Sequence, residues 1–323
     1  MTPNQKQHRF FFSRLISSEP PHSGWVFGVL FLGVLAISTS SILIRLTTVS
    51  AEQSGVGFSL MIAASRLILA SLLLAPGWSK MEWKSLGAGA CQYAVGAGVC
   101  LALHFATWTT SLSYTSIAAS TTLVTTNPIW MAIISWLWFR EKLTRLTWVG
   151  IIVALSGGVI IALGDLSNPT RGSQPLLGNF LALLGAWVIC GYFLLGKEAQ
   201  KRHLNLRSYI TIAYTVAALL LLPLPWFWGI GYGNYPAQVY GYLLLMALLP
   251  QLVGHTSLNW AVRWIAPTFV TLFVLFEPVA ASGLAYFILG EIPGQIIILG
   301  AMIVLMGVAL AVAGSRKSEL NDQ

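Results

Sequence analysis

Two charged residues, Arg66 and Glu277, stand well inside apolar stretches of this chain. A charge at the centre of a membrane helix costs about 2.5–3.5 kcal/mol on insertion scales, so each needs a partner or a water-filled space. Arg66, in SRLILASLLL, has no acid within a helical turn. It is suited either to an anionic or carboxylate group of a substrate or to helix carbonyls and dipoles. Glu277 is the one acid well inside an apolar run. A buried carboxylate that gains and loses a proton can couple a proton to a transport step; a structural ion pair with Arg66 is the competing role.

Neutral polar residues add to these two. Gln251, His255 and Asn259 recur at i, i+4 and i+8, which places them on one helical face. His104, Thr107, Trp108 and Ser111 form a second such face. A single membrane histidine serves as readily for helix-to-helix hydrogen bonding as for substrate binding, but a three-residue polar stripe is not made for lipid. Trp108 and Trp260 offer ring faces to an aromatic or cationic group. Asn127-Pro128 and Glu277-Pro278 complete the set. Neither proline can donate to the carbonyl four residues back, at Val124 or Val274, so a kink or loosening is expected at each. Freed carbonyls within a bilayer are tolerated where protein or a cavity meets them.

These positions are related by a fixed offset. Adding 150 carries Asn127-Pro128 onto Glu277-Pro278, Glu141 onto Glu291, Gly150 onto Gly300 and Gly157 onto Gly307. Such internal periodicity signals duplication. Arg45, Glu141 and Glu291 lie near the ends of apolar runs; Arg45 is expected to snorkel to the interface and the two glutamates to cap or pair locally.

The elements that must position these residues are membrane helices. Of 323 residues 56% are hydrophobic and 9% charged, with mean hydropathy +0.75, against about 25% charged in soluble domains. Ten apolar runs lie near 25–46, 57–76, 86–111, 117–139, 146–164, 177–196, 208–228, 239–262, 268–289 and 295–313. About 20 apolar residues span the hydrocarbon of a bilayer. With the N-terminus placed inside, fifteen Lys and Arg fall on inner segments and one, Arg171, on an outer loop. That asymmetry puts both termini in the cytoplasm of a multi-pass protein of the plasma (inner) membrane. The net charge of +8 therefore reports membrane orientation, not nucleic acid.

The expected fold is all-α and integral to the membrane, ten transmembrane helices forming two inverted five-helix repeats. Residues 1–24 are read as a disordered cytoplasmic tail, 25–164 as the first repeat, 165–176 as a linker, 177–313 as the second repeat and 314–323 as a cytoplasmic tail. Five helices per repeat return the chain on the opposite side, so the repeats are inverted, and such architectures bind substrate near the midplane. Cys91, Cys100 and Cys190 lack metal or disulfide spacing. GAGACQYAVGAGVC follows no strand and misses the dinucleotide spacing. No nucleotide-binding motif, nucleophile elbow or paired-aspartate motif is present, so no cofactor and no enzyme activity are expected.

The chain resembles the ten-helix EamA branch of the drug/metabolite transporter superfamily. The resemblance rests on Arg66 in SRLILASLLL and on SYTSIAASTTLVTTNPIW leading into FREKLTRLTWVGIIVALSGGVII. In the second half it rests on WIAPTFVTLFVLFEPVAASGLAYFILGEIPGQIIILGAMIVLMGVAL. The Pro-to-Glu spacing of thirteen residues occurs in both halves. The resemblance implies secondary transport, with export of small metabolites or amphipathic compounds. Import, or a structural or regulatory role without transport, are the alternatives. A small-molecule substrate and the lipid bilayer are the expected partners, with protons as candidate coupling ion and a homodimer compatible with the sequence. Substrate contacts are expected at Arg66, His104, Trp108, Asn127, Gln251, His255 and Asn259, coupling at Glu277, and helix breaks at Pro128 and Pro278.

Overall fold

In a computed structural model the described residues are 23–81, 87–138, 144–166, 174–264, 270, 273–274 and 276–321. The expectations for the tail 1–22, for Glu141 and for most of the 165–176 linker lie outside them. Among the described residues there is helix and turn but no strand. Twelve α-helices are followed here: α1 Ser23–Ala51, α2 Val56–Leu74, α3 Ala90–Ser111, α4 Ile117–Val124, α5 Asn127–Trp138, α6 Arg145–Leu166, α7 Pro175–Lys201, α8 Leu206–Leu221, α9 Ala237–Met246, α10 Thr256–Ala261, α11 Glu277–Leu289 and α12 Gln295–Asn321. A π-helical segment, Ala247–His255, joins α9 to α10.

Seven helical stretches are long and apolar enough to cross a membrane: Gly24–Ala51, Val56–Ser79, Ala90–Ser111, Ile117–Ile134, Pro175–Lys201, Leu206–Trp228 and Ala237–Ala261. Arg145–Ile161, Glu277–Leu289 and Gln295–Ala311 are shorter apolar helices. Large apolar side chains such as Phe287, Phe227 and Leu137 face outward, while Arg66, Gln251, Asn259 and Glu277 are buried. That is the reverse of a water-soluble protein, and it fits a multi-pass membrane protein whose outer surface meets hydrocarbon.

Small residues bring the helices together. α6 and α12 run antiparallel in direct backbone contact. A Cβ on Gly150 would lie 2.6 Å from the Gly307 carbonyl, and one on Gly157 would lie 2.8 Å from the Gly300 carbonyl and 2.7 Å from the Val304 nitrogen. Gly150 and Gly300 are offset mates, as are Gly157 and Gly307. The Gly150–Gly307 contact therefore has its counterpart in Gly300–Gly157, with the halves exchanged. Other close approaches lie elsewhere: Gly185 in α7 packs on Thr107, Trp108 and His104 of α3, and Gly33 in α1 packs on Ser257 and the Gly254 carbonyl. Small-residue seams of this kind drive helix association in lipid, where burial of apolar area gives no advantage.

A charged clasp joins the halves at one end of the bundle. The Glu291 carboxylate, just after α11, accepts the Ile117 backbone N–H at 2.9 Å. Ser116 caps the same helix, its hydroxyl accepting from the Ala119 N–H at 3.2 Å. α4 thus has its exposed donors satisfied by its own half and by the other, and a carboxylate also suits the positive helix N-terminus. Arg45 lies 3.8 Å from Glu291 and donates to the carbonyls of Leu112 at 3.0 Å and Thr115 at 3.3 Å. Part-exposed at the bundle end, Arg45 thus has three acceptors around it. Glu291 caps as expected, but across the halves.

Two outcomes are expected. Gly157→Leu forces a side chain against Val304 and the Gly300 carbonyl and lowers the unfolding midpoint of detergent-purified protein, by about 1–3 kcal/mol or more in stability. Gly158→Ala, whose Cβ would meet only Leu123 at 3.6 Å, leaves the midpoint unchanged; equal effects would refute the seam. Glu291→Gln keeps an acceptor for Ile117 and costs less than Glu291→Ala, which loses cap and charge at about 1–3 kcal/mol. Thermal melts of the two variants in parallel check the order.

Candidate functional site

The first half breaks its fourth apolar run in the middle. Thr121, Thr122, Thr125 and Thr126 all turn their hydroxyls back onto carbonyls three or four residues earlier, at 2.7–3.0 Å. Such back-bonding competes with the helix ladder and bends it, and α4 stops at Val124. α5 starts at Asn127 with Pro128 as its second residue. A proline in the first turn lacks only a donor that would be unpaired in any case. In the second half Pro278 is likewise the second residue of α11, directly after Glu277. Pro128 and Pro278, at which a kink, loosening or helix break is expected, each stand in the first turn of a helix.

Both first turns look onto one cavity of about 40 Å³. Its lining includes Ser40, His104, Trp108, Thr125, Asn127, Phe193, His255 and Glu277. Both halves contribute: α1, α3 and the α4–α5 break from the first, α7, the π segment and α11 from the second. Of the eight sequence-designated polar residues, five come together here: His104, Trp108, Asn127, His255 and Glu277. The cavity holds about three waters, at roughly 10–15 Å³ of such volume each.

Its polar groups are incompletely paired. The Asn127 carbonyl oxygen of the side chain, the Trp108 indole N–H and His255 Nδ1 are buried without a hydrogen-bond partner among the described residues. An unpaired buried polar group costs about 1–3 kcal/mol, so this wall is built for water or ligand. His104 Nδ1 lies 3.0 Å from the Gly185 carbonyl. A carbonyl only accepts, so Nδ1 carries the proton and the neutral ring keeps Nε2 as an acceptor. His104 stacks on Trp108, with 6.1 Å between centroids and 9° between planes. The backbone carbonyl of Asn127 is held by the Cys190 thiol at 3.3 Å.

The other three designated residues stand behind the wall. Asn259 donates its amide to the Tyr192 hydroxyl, which explains a buried amide without a ligand. Gln251 is fully buried in the π segment, and both of its amide atoms lack a partner among the described residues. Pro250 lies beside it; a proline inside a helix removes one ladder bond, and a π turn is one way to absorb that. Arg66 is fully buried. Its Nη1 donates to Ser40 Oγ at 2.9 Å, and its guanidinium lies 4.1 Å over the Phe105 ring. Among the described residues no direct ion pair joins it to Glu277. Trp260 is 1% exposed and edge-on to Trp264, away from the cavity.

Ser40, Phe105 and Phe193 are not distinguishable in the sequence. Ser40 is one of four consecutive small hydroxyl residues, Ser38 to Ser41, and only the packing of α1 selects it. The three interior tyrosines, Tyr192, Tyr209 and Tyr214, carried a usable signal: each buried phenol needs a partner. Tyr209 donates to the Tyr192 carbonyl and Tyr214 to the Gln251 carbonyl, both at 3.4 Å.

Comparison with known proteins bears on this geometry. The EamA-like transporter family model matches residues 25–163 and again residues 176–313. The chain is 25% identical to the uncharacterized transporter YdfC of Bacillus subtilis over 198 residues, 60% of this chain and 61% of YdfC. It is 23% identical to the uncharacterized transporter YwfM of the same organism over 224 residues, 69% of this chain and 74% of YwfM. A probable terminal-alkyne amino-acid exporter of Streptantibioticus cattleyicolor is 26% identical over 191 residues, 58% of this chain and 61% of the exporter. The alignments thus span about three fifths of YdfC and of the exporter. A solved crystal structure shares the fold with a TM-score of 0.58 at 16% identity, over 91% of this chain and 99% of that one. Two matches to one family model, covering most of an all-helical chain, give the conclusion that this protein belongs to the EamA-like transporter family.

Proposed function

We propose that the chain is a secondary transporter that exports a small metabolite, amino-acid-like or amphipathic, by alternating access between two inverted five-helix repeats of a ten-span bundle. One observation carries it: the first turns of α5 and α11, with Asn127 and Glu277 at offset-matched positions, border a single polar cavity that both halves wall. Discontinuous helices whose ends meet a central site are the arrangement by which transporters of this kind hold substrate and ion. Inversion is supported by the antiparallel Gly150–Gly307 and Gly300–Gly157 contacts, in which the halves exchange roles. Ten spans follow if the three shorter apolar helices also cross. Export of an amino-acid-like compound draws support from the name of the Streptantibioticus relative.

The cavity residues divide the work. His104, Trp108, Asn127 and His255 offer donors, an acceptor and ring faces to a polar molecule of small size. Glu277 is the coupling group, taking a proton when the cavity opens to one side and releasing it on the other. The protein sits in the plasma membrane with both termini in the cytoplasm, as the distribution of Lys and Arg supports. At about 40 Å³ the cavity lies far below the roughly 300–1,000 Å³ of ordinary ligand pockets. A space of that size is too small for an amino acid, so loading calls for the halves to rock apart.

The test uses proteoliposomes holding the full chain and a panel of radiolabelled amino acids, with and without an imposed proton gradient. Wild-type protein is expected to move at least one of them against its gradient when protons flow inward. Glu277→Gln should lose the gradient-driven component by about tenfold or more while keeping exchange of substrate across the membrane. Gradient dependence unchanged in that variant would remove Glu277 from coupling.

A further inference from the structure

Arg66 presents an unused edge. Its Nη1 is held by Ser40, but Nε and Nη2 are buried with no partner among the described residues. Those two nitrogens form the side of a guanidinium that takes a carboxylate through two parallel hydrogen bonds. A fully buried cation with a free bidentate edge is costly unless something occupies that edge for part of the working cycle.

What separates Arg66 from the cavity is one ring and one hydroxyl. Ser40 lines the cavity and Arg66 does not. Phe105 lies against the guanidinium at 4.1 Å and against the His255 ring, with centroids 5.3 Å apart at 79°; His255 in turn lines the cavity. Phe105 is fully buried yet is not part of that lining. Turning its ring would enlarge a space now fit for about three waters and uncover one face of the guanidinium. Gln251, one turn before His255, adds an amide whose two polar atoms also lack partners among the described residues.

We propose that the Nε–Nη2 edge of Arg66 is a carboxylate subsite of the cavity, with Phe105 as the shutter over it, so that the transported molecule carries a carboxylate. This rests on the reading of the cavity as the transport path. Charge favours a carboxylate over a phosphate, because a single guanidinium balances one negative charge. The ring face over the guanidinium keeps the cation stabilised while the subsite is empty. Ser40 is a positioning residue, fixing the fork so that its free edge has one orientation.

The experiment is ligand-dependent thermal unfolding of the detergent-purified full chain with benzoate and acetate, each against its uncharged amide, benzamide and acetamide, at matched concentrations. Wild-type protein should be stabilised by the carboxylates and not by the amides. Arg66→Lys keeps the charge and loses the fork, and should weaken carboxylate binding roughly tenfold. Phe105→Leu removes the shutter and should tighten it several-fold. Unliganded melts and size-exclusion profiles establish that each variant is folded, and Arg66→Gln serves if the lysine variant is not. Equal responses to carboxylate and amide, full binding by Arg66→Lys, or Phe105→Leu binding no more tightly than wild type would overturn the proposal. Silence towards all four molecules in both wild type and Phe105→Leu would overturn it too. Flux measured in proteoliposomes stands apart from these readouts: amino-acid transport that persists beside a silent subsite leaves the transport reading intact and removes only the carboxylate edge.

Discussion

In hydrocarbon no water is at hand to complete a hydrogen bond, and every buried donor, acceptor and charge must find its partner within the chain. Helix satisfies the backbone. The side chains then sort by what they need: the outer surface is left to apolar groups such as Phe287, Phe227 and Leu137, and Arg66, Asn127, Gln251, Asn259 and Glu277 go inward among the core Leu, Ile and Phe. Some of the inward group are fully served, as Asn259 is by Tyr192. Others are not: Trp108, Asn127 and His255 keep unpaired polar atoms on the wall of one small space, and Arg66 and Gln251 keep theirs elsewhere in the interior. Unpaired buried donors and acceptors are rare in folded chains, and each one asks for a partner that the chain itself does not supply.

Tight and loose regions serve opposite ends. Along α6 and α12, glycines bring backbones together so closely that a single added methyl group would collide. Around α4, α5 and the π segment, the helices are instead interrupted by a threonine-rich turn, by prolines at helix starts and by a wider helical turn. Rigid seams carry motion as a unit; interrupted helices absorb it. The cavity lies among the interruptions.

Much of this was legible in the sequence because lipid simplifies the code. Length of an apolar run gives a helix, and an isolated charge within one marks the interior. The 150-residue offset picked out Asn127 and Glu277 before any geometry was known, and both line the cavity. The periodicity of Gln251, His255 and Asn259 placed them on one face, but could not tell which of them reaches the cavity; a π turn and the Tyr192 hydroxyl settle that. Arg66 was legible as an interior charge, yet its position behind Phe105 and Ser40 depends on how α1, α2 and α3 pack, which no spacing encodes. The prolines were legible as disruption. That Pro128 begins a helix follows from the threonine hydroxyls upstream, whose pull on the preceding carbonyls ends α4.

The cap on α4 has a bearing on how the protein is made. Ile117 and the carboxylate that receives its N–H are 174 residues apart, and α6 meets its glycine partner only in the last helix of the chain. A nascent first half therefore leaves the ribosome with an unfinished helix end and an open seam. Its final packing waits for the second half to be inserted. Biogenesis of this bundle is thus not the docking of two completed units: the first half serves as a template that the last helices close, and a chain cut between the halves would leave both groups without their partners.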